Sequence, residues 1–263
     1  MSLRCEQLSK TFRTRNGEVA ALEDVSFSAK EHEFICIVGP SGCGKSTLLR
    51  LITGLLEPDS GVVQFNSGGN VNNVRCSLVF QEHGLFPWMT VLDNVGFGLE
   101  MQGVSKNERR EKAYTFIDQF GLGNFAHHYP HELSVGMQQR VGIARAFLSN
   151  PQILLMDEPF GSLDAQTKLV LREELLRIWK NHQSLVLYVT HDIEEAILLG
   201  DRILVMTGRP GKILADIPIP FSRPREHIAN LPEMAEIEKK IWNMLEAEVR
   251  KSLGLSQNVR APL

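Results

Sequence analysis

Long hydrophobic runs are missing from this sequence. Among its 263 residues, no apolar stretch approaches the roughly 20 residues that a helix needs to cross a bilayer. Residues 1–10 alternate polar and apolar side chains and contain no apolar core of a signal peptide. These absences exclude a membrane-spanning helix and lead us to expect a cytoplasmic protein.

A strong charge imbalance and a cysteine framework are missing as well. The net charge of −3 gives no basic footprint for nucleic acid, so we expect no nucleic-acid partner. The four cysteines, at positions 5, 36, 43 and 76, have neither metal-site nor redox spacing, which favours a reducing compartment over a disulfide scaffold. There is no internal repeat. With 43% hydrophobic and 22% charged residues, the chain reads as one large globular domain or a core with a subdomain.

What the sequence does contain is a phosphate-binding motif. A short β-branched strand at 35–38 precedes it, and apolar residues at helical spacing follow it, which is the strand–loop–helix context that the motif needs. Its glycines let consecutive N–H groups point inward, and the helix dipole adds positive potential for a polyphosphate. The alternative is a glycine-rich turn with a solvated lysine. The candidate nucleotide-binding residues are Gly39, Pro40, Ser41, Gly42, Cys43, Gly44, Lys45, Ser46 and Thr47.

The order of the remaining patterns predicts an α/β fold. We expect a P-loop NTPase (RecA-like) core with an N-terminal antiparallel β subdomain and an inserted α-helical subdomain. The core would comprise residues 1–81 and 151–220, the helical subdomain 82–150, and a C-terminal helical extension 221–263. The predicted strands are 2–8, 19–28, 33–38, 62–65, 74–80, 153–156, 185–190, 203–206 and 212–217, with a hairpin turn at Asn16-Gly17 and a loop tip at 67–70. The predicted helices after the first are 90–101, 106–120, 135–149, 166–181 and 193–199, followed by a helix with an apolar face in the C-terminal extension.

Polar residues follow several of the predicted strands. Ligands of an open parallel sheet lie beyond the carboxyl ends of its strands, and Gln81, Asp157, Glu158 and His191 fall there. Asp157 is placed to hold Mg²⁺, and Glu158 to orient and polarise a water against the γ-phosphate. Lys45 would reach the β- and γ-phosphates and Ser46 would bind Mg²⁺. The alternatives are a pair of acids that only cap the next helix, and a structural histidine.

Read together, the motifs resemble the ATP-binding subunit of ATP-binding cassette (ABC) transporters over nearly the whole chain. The matching elements are the phosphate loop, Gln81, and the segments 133–140, 153–159, 162–164 and 190–192. The runs Phe86-Pro87-Trp88, 157–161 and 209–212 look most like importers of nitrate, sulfonate, taurine or bicarbonate.

The resemblance implies that one chain holds half of each active site. Ser134 and Gly136 would act on the ATP of a second subunit, a homodimer partner or a close paralogue. Glu158 would be the general base, while His191 and Gln81 would contact the γ-phosphate side and the Mg²⁺-bound water. Phe12 would stack on adenine, although a plain core or hairpin aromatic is the alternative.

The same resemblance implies an ATPase with ATP and Mg²⁺ as cofactors, located peripherally at the cytoplasmic face of the inner membrane. Its partners would be an integral membrane permease, docked near residues 86–88, and indirectly an extracytoplasmic solute-binding protein. Two other functions remain open: a soluble cassette ATPase for DNA repair or translation, and a small-molecule kinase. The first would need a coiled-coil insertion, a second cassette or a basic surface, and the second leaves residues 133–140 and His191 unexplained.

Two smaller questions stay open in the sequence. The family usually has glycine where Val135 stands. If this residue needs a positive φ, valine is strained; if it opens the helix after Ser134 as N-cap, as we expect, it is not. The apolar stripe of the last helix is interpreted as packing, with partner binding as the alternative. This stripe comprises Met234, Ile237, Ile241, Met244, Leu245 and Val249.

Overall fold

The structure, a computed structural model, describes residues 2–15, 17–66, 74–80, 84–161, 163–182, 184–225 and 231–253. The strands are β1 Ser2–Thr14, β2 Gly17–Ala29, β3 Phe34–Val38, β4 Ser60–Asn66, β5 Cys76–Val79, β6 Ile153–Asp157, β7 Leu185–Val189, β8 Arg202–Met206 and β9 Ile213–Pro218. The α-helices are α1 Lys45–Ile52, α2 Val91–Met101, α3 Lys106–Gln119, α4 Val135–Leu148, α5 Ala165–His182, α6 Ile193–Leu199 and α7 Pro232–Ser252.

An antiparallel sheet of three strands forms the N-terminal part, in the order β2-β1-β4. The alternation of Leu3 and Cys5 with polar residues buries one face of β1, as a half-exposed strand requires. The strand is longer than the expected 2–8 because its pairing with β2 continues to Thr14, which places Phe12 opposite Val19. The antiparallel β subdomain is therefore confirmed, while the expected turn residue Asn16 and the loop tip 67–70 lie outside the described residues.

The central sheet has the order β5-β6-β7-β3-β8-β9. Strands β3, β6 and β7 are buried at every position and apolar except for Asp157 at the end of β6, as expected for parallel strands covered on both faces. The sheet is mixed rather than wholly parallel, because β9 runs antiparallel to β8 at the edge. The connection between these two strands is a short turn, and a short turn can join only antiparallel neighbours.

The helical insertion lies in the chain between β5 and β6. Helices α2, α3 and α4 begin at the predicted positions within one residue, because each has a side-chain cap. The capping oxygens of Thr90, Ser105 and Ser134 accept hydrogen bonds from the backbone N–H three residues later. The three helices share a buried apolar interface, so the insertion is a packed unit rather than a loop.

Helix α7 packs against the core through the predicted stripe. Met234 and Ile241 are buried, and Ile237, Met244 and Leu245 contact the hydrophobic core, whereas Val249 remains 39% exposed. The packing interpretation is therefore confirmed for all of the stripe except its last residue. Within the described ranges, no helix is both long enough and apolar enough to cross a membrane.

Candidate functional site

The phosphate loop connects the end of β3 to the start of α1. Gly44, the residue before α1, has φ of 108°. A Cβ atom there would lie 2.6 Å from Leu22 Cδ2 and 2.8 Å from the carbonyl oxygen of Ala21, so a side chain would clash with β2. Only glycine provides both this conformation and this close approach. The close contact of Gly44 with β2 therefore fixes the position of the phosphate loop relative to the N-terminal sheet.

Lys45 is held inside the loop. Its side chain is buried, and the Nζ atom donates hydrogen bonds to the carbonyl oxygens of Gly39 at 2.8 Å and Pro40 at 3.1 Å. The N–H of Cys43 donates to the same Pro40 oxygen at 3.3 Å. The ammonium group is thus preorganised at the centre of the loop, where a bound polyphosphate would exchange carbonyl acceptors for charged oxygens.

An open cleft of about 530 Å³ lies against the loop. Phe12, 38% exposed, and Val19 contribute an apolar wall from the N-terminal sheet, and Glu158 and Arg209 contribute charge from the central sheet. The loop residues that line the cleft are Ser41, Gly42, Gly44, Lys45, Ser46 and Thr47. An apolar wall that faces a phosphate-binding loop fits a molecule with a planar ring at one end and phosphates at the other.

Asp157 and Ser46 bring a carboxylate and a hydroxyl together at the start of α1. Asp157 is the last residue of β6 and only 8% exposed. Burial raises the pKa of this carboxyl, and a hydrogen bond from the Ser46 hydroxyl partly opposes that rise. One hydroxyl and one carboxylate match the oxygen preference of Mg²⁺, which usually takes its other ligands from phosphates and waters. No cluster of three or more acidic, histidine or cysteine side chains suited to a metal occurs in the part of the chain that the structure describes.

Glu158 and His191 meet beyond the ends of β6 and β7. The Nδ1 atom of His191 lies 3.2 Å from Oε2 of Glu158. Glu158 has a positive φ of 46°, and its N–H donates to the carbonyl oxygen of Val189 at 3.0 Å. A non-glycine residue in this region stores on the order of 1–3 kcal/mol of strain, which persists only where the surroundings impose it. Glu158 with this backbone conformation lines the cleft.

Ser134 and Gly136 lie apart from this cleft, at the start of α4. The hydroxyl oxygen of Ser134 accepts a hydrogen bond from the N–H of Met137 at 3.3 Å, and Ser134 is exposed. Val135 is the first residue of α4 and has no positive φ. Neither Ser134 nor Gly136 lines the cleft of its own chain. The helix terminus they form therefore faces outward.

Sequence reasoning missed two features of the site. Arg209 lines the cleft although it is 167 residues from Gly42, the loop residue it contacts. From sequence, the run at 209–212 indicates only a resemblance to one subgroup of importers. The positive φ of Glu158 has no local sequence signal, since neither glycine nor asparagine stands there. Gln81, expected next to the metal, lies outside the described residues.

A phosphate-binding loop after β3 of a mixed sheet, with an acidic residue at the end of β6, which is separated from β3 by β7, defines a P-loop nucleoside triphosphatase. The family model described as ABC transporter matches residues 22–161. The nitrate import ATP-binding protein of Synechocystis sp. is 47% identical over 221 residues, covering 83% of this chain and 83% of that protein. The taurine import ATP-binding protein of Rhizobium johnstonii is 42% identical over 254 residues, covering 93% of this chain and 97% of that protein.

Among solved structures, a dimeric ATP-binding cassette in a post-hydrolysis state, bound to ADP and Pi, has a TM-score of 0.74 and 32% identity. The match covers 84% of this chain and 100% of that one. The chain belongs to the ABC transporter family, as an ATP-binding subunit. It is an ATPase cassette, and its cofactors are ATP and Mg²⁺.

Proposed function

We propose that the protein hydrolyses ATP at the cleft beside residues 39–47 and couples hydrolysis to uptake of a small anionic solute through a membrane permease. The observation that carries the proposal is that Lys45 and Glu158 line one open cleft, while Asp157 is hydrogen-bonded to Ser46, another residue of that cleft. Lys45 follows β3, whereas Asp157 ends β6 and Glu158 comes directly after it, and the sheet brings these two distant segments to the same edge.

Binding is assigned to the loop and the wall of the N-terminal sheet. Lys45 would exchange its bonds to the carbonyls of Gly39 and Pro40 for the β- and γ-phosphates. Residues 39–47 would supply N–H donors, and Phe12 would stack on adenine. Ser46 and Asp157 would hold Mg²⁺, which supplies charge neutralisation on the phosphates when bound. Gln81 is proposed as a further ligand at that ion.

Hydrolysis is assigned to the Glu158–His191 pair. The carboxylate of Glu158 would accept a proton from a water as that water's oxygen bonds to the γ-phosphorus and the bond from the γ-phosphorus to the ADP oxygen breaks. His191, 3.2 Å from that carboxylate, would hold it in place and contact the γ-phosphate side. The outward-facing Ser134 and Gly136 of a second subunit would complete the site, with the helix N-terminus as donor.

Coupling is assigned to the surface around Trp88. This side chain is 70% exposed, and its ring lies 5.6 Å from that of Phe86. An exposed aromatic of this size is a candidate anchor for a protein partner. The proposed partners are a second ATP-binding subunit, the permease and, through it, an extracytoplasmic solute-binding protein. We assign the protein to the cytoplasmic face of the inner membrane.

The solute class rests on the relatives, whose names specify nitrate and taurine import. Both solutes are small and carry an anionic oxygen group.

The proposed roles follow the three parts of the chain. Residues 1–81 with 151–220 would bind and hydrolyse ATP, residues 82–150 would complete the partner subunit's site, and residues 221–263 would extend the core.

The test of this proposal is Lys45→Ala, with Lys112→Ala as the matched control. Lys112 lies on α3, where it pairs with Glu108 at 2.7 Å, away from the cleft. We expect Lys45→Ala to remove most of the ATP affinity measured by calorimetry, because the cation facing the phosphates is lost, and Lys112→Ala to bind as the wild type. Unchanged ATP binding in Lys45→Ala would reject the site. ATPase rates in proteoliposomes with the permease and binding protein, compared for nitrate, taurine and bicarbonate, test the solute class.

A further inference from the structure

The turn between β8 and β9 lies against the phosphate loop. Thr207 closes this turn: its N–H donates to the carbonyl oxygen of Lys212 at 3.0 Å, and its hydroxyl lies within 3.0 Å of the carbonyl oxygens of Gly208 and Pro210. Lys212 also pairs with Glu23 of β2 at 2.9 Å. These bonds give the turn one defined shape at the edge of the nucleotide cleft.

The backbone of the turn is docked on the loop itself. The N–H of Gly211 donates to the carbonyl oxygen of Ala21 at 2.9 Å, and the carbonyl oxygen of Gly211 accepts a hydrogen bond from the N–H of Glu23 at 3.1 Å. Gly211 therefore pairs with β2 alongside Leu22, as a neighbouring parallel strand would. A Cβ atom on Gly211 would lie 2.1 Å from the carbonyl oxygen of Cys43. Any side chain at this position would push the turn off the loop, so this glycine is required by the close approach.

Arg209 uses this docking to reach the loop. Its Nε and Nη2 atoms both donate to the carbonyl oxygen of Gly42, at 3.2 Å and 3.0 Å. The C=O and N–H of a planar trans peptide point in opposite directions, so holding the Gly42 oxygen on the outside turns the Cys43 N–H inward. In the structure that N–H points to Pro40, inside the loop. Arg209 thus fixes the orientation of a peptide group whose N–H is one of the phosphate donors.

Arg209 also places a positive charge at the cleft. It lines the same cavity as Lys45, Ser46 and Glu158. Lys45 is buried inside the loop, whereas Arg209 is exposed at its rim. A guanidinium that is always charged and presents several donors in a fixed plane suits this double contact better than an ammonium does.

The turn is anchored on its other side by the C-terminal helix. The N–H of Gly208 donates to Oε2 of Glu248, on α7, at 2.9 Å. A continuous path therefore leads from α7 through Gly208 and Arg209 to the Gly42 carbonyl of the phosphate loop. This path connects the C-terminal extension to the loop proposed to bind the nucleotide.

We propose that Arg209 is a positioning residue for the ATP phosphates, and that Glu248 of α7 holds the turn that presents it. The inference rests on the proposed role of residues 39–47 in binding ATP. It assigns a function to the Arg-Pro-Gly-Lys run at 209–212, which otherwise has none, and it makes nucleotide affinity depend on the C-terminal helix.

The test compares Arg209→Gln and Arg209→Lys with Arg13→Gln. Arg13 is a matched control because it is an exposed arginine in β1, next to the cleft residue Phe12, and pairs with Glu18 without touching the loop. We expect Arg209→Gln to raise both the calorimetric Kd and the KM for ATP about tenfold, the scale of one charge-assisted contact, with kcat at saturation within about twofold. Arg209→Lys keeps the positive charge but loses the paired Nε and Nη2 donors, so its Kd should lie between the values of the wild type and Arg209→Gln. Arg13→Gln should match the wild type.

The role of α7 is tested by Glu248→Ala with Glu246→Ala as control. Glu246 lies on the same helix but pairs with Arg250 at 2.8 Å instead of the turn. We expect Glu248→Ala to weaken ATP binding about threefold, in the same direction as Arg209→Gln, and Glu246→Ala to leave it unchanged.

Melting of the nucleotide-free protein separates positioning from folding. The inference predicts that Arg209→Gln melts within about 2 °C of the wild type. Unchanged ATP affinity in Arg209→Gln overturns the inference, as does a loss of affinity that is accompanied by a large fall in melting temperature, since the residue would then serve the fold. If Lys45→Ala loses ATP while Arg209→Gln keeps it, this inference alone fails; if both bind normally, the proposed site fails with it.

Discussion

His191 Nδ1 lies 3.2 Å from Glu158 Oε2, across the gap between two neighbouring parallel strands. Strands β6 and β7 pair in parallel with Asp157 opposite Val189, so the two strands end at the same level of the sheet. Glu158 and His191 therefore meet because of the sheet topology, not because of local sequence. The contact restrains the carboxylate of a residue that lines the cleft.

Glu158→Gln tests the role of this carboxylate. The amide keeps the size of the side chain but cannot take a proton, so we expect the ATPase rate to fall by about 10²–10⁴ while the Kd for ATP stays within about threefold. Phosphate release and calorimetry measure the two quantities. The variant should also accumulate as a dimer in Mg-ATP on gel filtration. Glu173→Gln, an exposed acid on α5, is the control and should hydrolyse normally. Hydrolysis at the wild-type rate in Glu158→Gln would place the base elsewhere.

Asp157 links the site to stability. Burial raises its pKa in the folded protein, so the folded state disfavours the ionised carboxyl relative to the unfolded state. The contribution of this group to the free energy of unfolding therefore falls as the pH rises from its unfolded pKa, about 3.9, through its raised folded pKa. At neutral pH the ionised carboxylate of Asp157 therefore destabilises the folded protein.

Asp157→Asn should accordingly raise the melting temperature of the nucleotide-free protein at pH 7 and abolish the extra stabilisation by Mg-ATP over ATP alone. Asp59→Asn is the control with the opposite sign. The pKa of Asp59 is lowered by hydrogen bonds from Lys10 and the Thr11 N–H, so that carboxylate stabilises the fold above its unfolded pKa and loses this contribution as the pH falls. Scanning calorimetry from about pH 3 to pH 7 measures the melting temperatures of both variants across the pH range where these carboxyls titrate. A lower melting temperature for Asp157→Asn would contradict the argument.

Trp88→Ala tests the docking surface. Phe86, not Trp88, is the packed member of the pair: its ring lies 4.6 Å from that of Phe97, and the guanidinium of Arg145 lies 5.5 Å above it. We therefore expect Trp88→Ala to leave the melting temperature within about 2 °C and to weaken co-purification with the permease.

The chain offers a matched control in Trp242, which is 61% exposed on α7. Trp242→Ala removes an equally exposed indole from a different face and should leave permease association unchanged. A collapsed melting transition in Trp88→Ala would instead show that the side chain belongs to the core. Equal loss of association in both variants would show that the effect is not specific to this surface.

The sequence predicts those parts of the molecule that depend on interactions between residues close together in the chain. Thr90, Ser105 and Ser134 cap helices whose starts were predicted within one residue, because a cap acts on N–H groups three residues away. The family's motif order gave the α/β core and the helical insertion. The antiparallel edge strand β9 was implicit in the short turn before it.

Contacts between distant segments were beyond prediction. The hydrogen bonds of Arg209 to the Gly42 carbonyl join positions 167 residues apart, and no periodicity or spacing reports on such a pair. The positive φ of Glu158 is imposed by the tertiary surroundings against the residue's own preference. The roles of all the predicted site residues stay predictions, since they depend on a bound nucleotide and, for Ser134 and Gly136, on a second subunit.

Val135→Gly tests the departure from the usual family signature. Ser134 is the N-cap with φ of −64° and ψ of 158°, and Val135 follows as the first helical residue without a positive φ, 48% exposed. There is no left-handed strain for glycine to relieve. We therefore expect Val135→Gly to destabilise the protein by only about 0.3–0.5 kcal/mol through the greater entropy of the unfolded chain, and to leave the ATPase rate at limiting protein concentration unchanged or slightly lower. Val135→Ala is the matched control: it removes the same side chain while keeping helix propensity, so it should melt at or above the wild-type temperature. Thermal melting and steady-state phosphate release measure the two effects, and a several-fold gain in rate for Val135→Gly alone would show that the closed dimer requires a conformation at this residue that valine resists.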